Sequence, residues 1–187
     1  MPDRGPRDVE VEIAPPARWA VLRDLRLRAL QDTPDAFGST FEQERRFTAD
    51  DWRRRVQRAD RPTLLAWLGP PPPTTVVSPL VRPAGMSLLG WVAPTPDRPD
   101  ADGVIGIYSV FVDTWARGCG VGDALLAAAI GQARAAGARR VVLDVGDRNP
   151  PAQALYRRAG FSPTGRTGSL PPPRQHVTEH ELALDLR

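Results

Sequence analysis

Residues 117–122 read Arg-Gly-Cys-Gly-Val-Gly, and an alanine-rich stretch with helical spacing follows at once. Three glycines in five positions weaken any helix or strand interior, so this stretch needs a bare backbone. A helix N-terminus presents unpaired N–H groups and the positive end of the helix dipole. Glycines let an anion reach those groups without colliding with Cβ atoms. An apolar strand, a glycine loop and a helix in series therefore form a phosphate cradle; the competing reading is a plain tight turn.

Two cofactor classes fit such a cradle. A dinucleotide needs Gly-x-Gly-x-x-Gly directly after the strand and an acid about 20 residues on. Gly118 and Gly120 supply the first two glycines and Asp144 stands at a suitable distance, but Asp123 occupies the third glycine position. The other class is an acyl-coenzyme A, whose pyrophosphate makes the same demand on the backbone.

Two other constellations suggest chemistry. Cys119 at a helix N-terminus would have its thiol pKa lowered, as a nucleophile requires, yet no histidine lies near it in sequence. His-Val-Thr-Glu-His (176–180) matches a zinc pattern that works on a helix. The segment Thr-Glu-His-Glu-Leu-Ala-Leu-Asp-Leu alternates instead, and on a strand the two histidines stand roughly 13 Å apart. No metal site is expected.

All 25 basic residues are arginine, against 22 acidic ones. Without lysine, Walker-type nucleotide binding and Schiff-base chemistry are excluded. The arginines alternate with acids and form no lasting basic stripe, so no nucleic-acid partner is expected. No apolar run approaches the roughly 20 residues that cross a bilayer. The charged first residues lack a secretory h-region, and the single cysteine excludes an internal disulfide. Together these indicate a cytoplasmic protein. The length, 187 residues, suits one domain.

These groups must be positioned by alternating strands and helices. Strands are predicted at 8–13, 63–69, 86–93, 104–112 and 139–145, then in Phe-Ser-Pro-Thr-Gly and the final alternating segment, where Leu182, Leu184 and Leu186 share a face. Residues 104–112 form a continuous apolar run, which predicts burial on both faces. Helices are predicted at 17–31, at 49–58 behind Thr48, at about 121–136 with Gly137 as its C′ residue, and from Asn149 to Gly160. The proline-rich 70–79 and the 93–103 segment read as peripheral loops. The fold class is α/β.

The chain resembles the GCN5-related N-acetyltransferase (GNAT) family. The family's core motif is an apolar strand followed by Arg/Gln-x-x-Gly-x-Gly/Ala opening a helix; Arg117, Gly120 and Gly122 match it. A later motif of asparagine, alanine, tyrosine and Gly-Phe is matched by Asn149, Ala152, Tyr156, Gly160 and Phe161. The resemblance implies a mixed, mostly antiparallel central sheet flanked by helices, with a splayed strand pair.

It also implies acetyl-CoA as co-substrate and a primary amine, small molecule or peptide, as acceptor, joined by direct attack in a ternary complex. Val110, Phe111 and Val112 match the strand edge that holds the pantetheine, and the Val110 amide would polarise the thioester carbonyl. Arg117, Gly118, Cys119, Gly120, Val121 and Gly122 would hold the pyrophosphate, with Asn149 a further cofactor contact or only a helix cap. Tyr156 would give a proton to the departing thiolate. In that geometry the Cys119 amide faces the phosphates and its thiol turns away from the thioester. The strand carries no glutamate at a common position for the base, so Glu42, Glu44, Glu179 and His180 are candidates by location alone. Asp32, Asp35, Glu42, Glu44, Glu179 and Glu181 would form an acidic mouth suited to a cationic amine. Family members often form homodimers. The competing functions are a non-catalytic acyl-CoA-binding module and a nicotinamide-cofactor oxidoreductase.

Overall fold

The computed structural model describes residues 8–74, 82–95 and 98–186. Part of the proline-rich connection, residues 75–79, lies outside them. Seven strands form one sheet: β1 (Val9–Ile13), β2 (Thr63–Leu68), β3 (Gly85–Trp91), β4 (Val104–Val112), β5 (Arg140–Gly146), β6 (Ser162–Ser169) and β7 (Thr178–Asp185). Their order is β1-β2-β3-β4-β5-β7-β6. Only β4 and β5 run parallel; every other neighbouring pair is antiparallel. This is the mixed, mostly antiparallel sheet that the resemblance implies.

Helices cover both faces. On one, α1 (Trp19–Asp32) buries Leu22, Leu25, Ala29 and Leu30 against Leu65, Trp67, Met86 and Phe111. Two shorter helices follow it. The first, α2 (Phe41–Glu44), escaped the periodicity because four residues show no repeat. The second, α3 (Ala49–Val56), starts at a capping box in which Thr48 and Asp51 satisfy each other's amides. On the other face, α4 (Val121–Ala135) buries Leu125, Leu126, Ala129 and Ala133 against Leu64, Leu89, Ile105 and Ile107. Its alanines let it lie close to the sheet. The last helix, α5 (Pro150–Arg158), ends like α4: Gly160 and Gly137 sit at φ 92° and 77° in the C′ position.

Gly85 marks the closest approach. A Cβ there would stand 2.6 Å from the Phe111 carbonyl oxygen and 3.0 Å from Leu125 and Val121 side chains. The carbonyl belongs to backbone and cannot move aside. Gly85→Ala is therefore expected to cost about 2–3 kcal/mol, read as a lower midpoint in urea unfolding.

Candidate active site

β4 and β5 pair only at Val104–Gly106 with Arg140–Val142, and β4 then runs six residues further without β5 beside it. On its other side β4 follows β3 with one extra residue: Leu88 faces Tyr108, but Met86 faces Phe111. This bulge puts Ser109 at φ 55°, a left-handed conformation uncommon outside glycine. Arg26 Nη1 donates to Ser109 Oγ at 3.2 Å and braces it. Asp113 N–H bonds to Ala84 at 2.8 Å, so alternation turns the main-chain groups of Val110 and Val112 away from β3, toward the gap. Accordingly the apolar run is buried on both faces only over residues 104–107; Tyr108 is exposed where the strands part.

The glycine loop lies at the end of β4. Gly118 and Gly120 sit at φ 75° and 79°, and a Cβ on either would meet nothing within 4 Å. Their glycine identity serves backbone conformation, and the surface stays open to an anion. Gly122 differs: a Cβ there would stand 3.0 Å from Leu155, so it also lets α5 approach α4. Among the described residues, the amides of Gly118, Gly120, Val121 and Gly122 have no acceptor. The Cys119 amide donates to Ala116 at 3.3 Å, and its thiol lies 3.8 Å from the Arg117 carbonyl. Arg117 Nε donates to Val112 O at 3.3 Å, and its Nη2 pairs with Asp32 at the end of α1. Free amides on an open left-handed turn at a helix start fit a diphosphate.

Between β4 and β5 lies a cavity of about 260 Å³, walled in part by Phe37, Ser109, Val110, Asp144, Asn149, Tyr156 and Glu179. Tyr156 is 6% exposed and meets Phe161 edge-on at 6.2 Å. Burial pushes its hydroxyl pKa up, and no partner for that hydroxyl exists among the described residues. Asn149 caps α5, its Oδ1 accepting from Ala152 N–H at 3.3 Å. Phe37 and Gly38 are held from behind by the buried Arg174, which donates to Ser39 O at 3.1 Å and to Pro34 O.

The acidic candidates separate cleanly. Glu42 pairs with Arg45 at 2.6 Å on the surface. Glu44 is 2% exposed and clasped by Arg26 at 2.7 Å and Arg55 at 3.0 Å. His180 lies on the opposite face of β7, in a groove with Arg157 and Phe161. Glu181 is buried and paired with Arg98 and Arg166. Asp32 is taken by Arg117, and Asp35 stands exposed on the turn Pro34–Ala36. Of the candidate bases only Glu179 lines the cavity, joined there by Asp144, which the sequence suggested only as a ribose ligand. Partial removal from solvent raises both carboxyl pKa values, and the Asp144 charge raises Glu179 further. A lone acid inside the otherwise apolar Val-Val-Leu-Asp-Val run was the available signal. The dinucleotide reading fails on this sheet: it is not doubly wound, and Asp123 pairs with Arg158 at 3.1 Å.

The profile of the Acetyltransferase (GNAT) family matches residues 39–161. The chain belongs to that family. Mycothiol acetyltransferase of Cellulomonas flavigena is 38% identical over 104 residues, covering 52% of this chain and 30% of the relative, so the chain spans less than a third of that protein's length. An N-acetyltransferase from Staphylococcus aureus Mu50 superposes with a TM-score of 0.72 at 21% identity, covering 96% of this chain and 99% of the other. A putative acetyltransferase from Salmonella typhimurium, solved with its cofactor acetyl-CoA, gives 0.71 at 18% identity over 96% and 95%. The GNAT match takes in the glycine loop, Asp144, Asn149 and Tyr156, and it ends before Glu179. Acetyl-CoA is the family's acetyl donor.

Proposed function

We propose that the protein is an acetyl-CoA-dependent N-acetyltransferase that acts on a primary amine by direct attack in a ternary complex. One observation carries the reading: β4 leaves β5 after Gly106, lines the cavity of Tyr156, Asp144 and Glu179 through Val110, and then leads into the loop whose amides are unpaired. Acetyl-CoA supplies an activated thioester. The amides of Gly118, Gly120, Val121 and Gly122 hold its diphosphate, and the freed edge at Val110–Val112 takes the pantetheine. The Val110 amide is the donor for the carbonyl oxygen, a contribution of about 2–4 kcal/mol to the barrier. Tyr156 donates its proton to the departing sulfur. Asp144 and Glu179 bind the amine and accept its proton, directly or through water.

Thiol release over a panel of amines tests the proposal. Acetyl-dependent release with at least one amine supports it. Tight coenzyme A binding with no release under any amine would identify a binding module instead.

Two raised carboxyls set a pH signature. The base works only when ionised, so kcat/KM is expected to rise with pH through an apparent pKa above the ordinary carboxylate range. Asp144→Asn should shift that limb back down as Glu179 loses a neighbouring charge. The fold responds oppositely. A raised native pKa means the folded state binds the proton more readily, so these groups reduce stability as pH rises through that window. Asp144→Asn is thus expected to slow turnover while raising the thermal midpoint at neutral pH, checked by paired kinetic and melting curves.

A further inference from the structure

The open face of the sheet carries more than the acceptor cavity. By register, Leu88 and Gly90 of β3 share a face with Gly106 and Tyr108 of β4 and with Asp144 of β5. Two of these are glycines with a purpose. A Cβ on Gly90 would stand 3.1 Å from the Arg61 stem, and one on Gly106 would overlap the Tyr108 ring. Both side chains therefore lie over the strands, Arg61 across Gly90 and Tyr108 across Gly106, where it also lines the cavity.

Arg61 opens into a second groove of about 600 Å³, lined also by Arg54, Arg55, Arg58 and Leu88. Its charges do not cancel. Arg54 is matched by Asp51 and Arg58 by Asp60. Arg55 must share the one Glu44 carboxylate with the buried Arg26. Arg61 has no side-chain hydrogen bond or ion pair among the described residues. Two positive charges are thus left over, one of them partly desolvated, around a space large enough for a ligand. The groove is coupled to the cavity: Arg26 reaches from Glu44 to Ser109, which lines the cavity, and Leu88 on the groove floor sits opposite Tyr108.

We propose that this groove binds an anionic group, a carboxylate or a phosphate, carried by the acceptor at a distance from its amine. The inference rests on the acetyltransferase reading above and narrows its substrate class. Asp144 and Glu179 at one end select the ammonium; Arg55 and Arg61 at the other select the anion, with Tyr108 between them. A simple alkylamine or a polyamine fills only the acidic end.

The test is a matched set of acceptors of equal chain length: a plain alkylamine, the ω-amino acid, and the ω-aminoalkyl phosphate. The expected result is a higher kcat/KM for at least one anionic acceptor than for the plain amine, and the two anionic arms tell carboxylate from phosphate. Arg61→Gln should shrink that preference by about fivefold, and Arg61→Glu should reverse it. Equal rates across the set, or a preference indifferent to both substitutions, would overturn the subsite and leave the transferase reading intact. If no amine is turned over, the transferase reading fails separately. The groove is then judged by titrating inorganic phosphate into protein saturated with coenzyme A: weaker binding in Arg61→Gln supports it, and unchanged binding overturns it.

Discussion

Tyr156→Phe is expected to lower kcat by about a hundredfold or more, with acetyl-CoA affinity close to that of the parent protein. Of the described residues that line the gap, Tyr156 is the buried one with a hydroxyl to donate, and burial raises its pKa, which keeps it protonated throughout the working range. Phenylalanine preserves the ring and its edge contact with Phe161, so the loss isolates the hydroxyl. The measurements are steady-state thiol release and equilibrium coenzyme A binding on the same preparation. A fall in binding that matched the fall in kcat would show a structural tyrosine instead. An acyl donor with a more acidic thiol leaving group should recover part of the lost rate, because it needs less protonation.

The largest effect on stability is expected at Glu44. Removing one member of a buried ion pair strands the other, at a cost of about 3–5 kcal/mol. Here two arginines would be stranded, and Arg26 is itself 4% exposed and stacked over Phe37. Glu44→Gln should therefore lower the unfolding free energy by an amount in that range, measured by urea denaturation. Burial alone would raise the Glu44 pKa. The hydrogen bonds and charge of Arg26, with the charge of Arg55, outweigh burial and hold it below its usual value of 4.5. A lowered native pKa gives stability that is present at neutral pH and lost as pH falls through and below that value. The variant should accordingly show a flatter decline of stability in acid. Because Arg26 also braces Ser109, turnover should fall with it.

The strands, the long helices and the glycine loop could be read directly, since each has a local cause. Alternation marks β7, apolar continuity marks β4, Thr48 and Asn149 mark helix starts, and Gly137 and Gly160 mark helix ends. The loop's open, left-handed backbone followed from backbone physics and from the family motif. What escaped depends on contacts distant in sequence. The exposure of Tyr108 is set by β5 turning away 36 residues later. Glu44 looked like a base because nothing near it in sequence shows that Arg26 and Arg55 would close on it. Asp144 joins the cavity wall only when β5 and β7 bring it near Glu179. The amide of Cys119 looked available in the motif, and the turn engages it with Ala116.

The ion pair between Arg117 and Asp32 links the two halves of the cleft. Asp32 is the last residue of α1, and the chain that leaves it, through Phe37 and Gly38, forms a wall of the acceptor cavity. Under the proposed reading, an incoming diphosphate competes with that carboxylate for the same guanidinium. Loading the donor therefore exchanges one anion for another at a fixed cation. This makes coenzyme capture less sensitive to ionic strength than the count of arginines suggests, and it leaves a negative charge newly unbalanced at the root of the acceptor wall. Electrostatics alone thus favour a sequence of arrival in which the donor comes first and a cationic amine second.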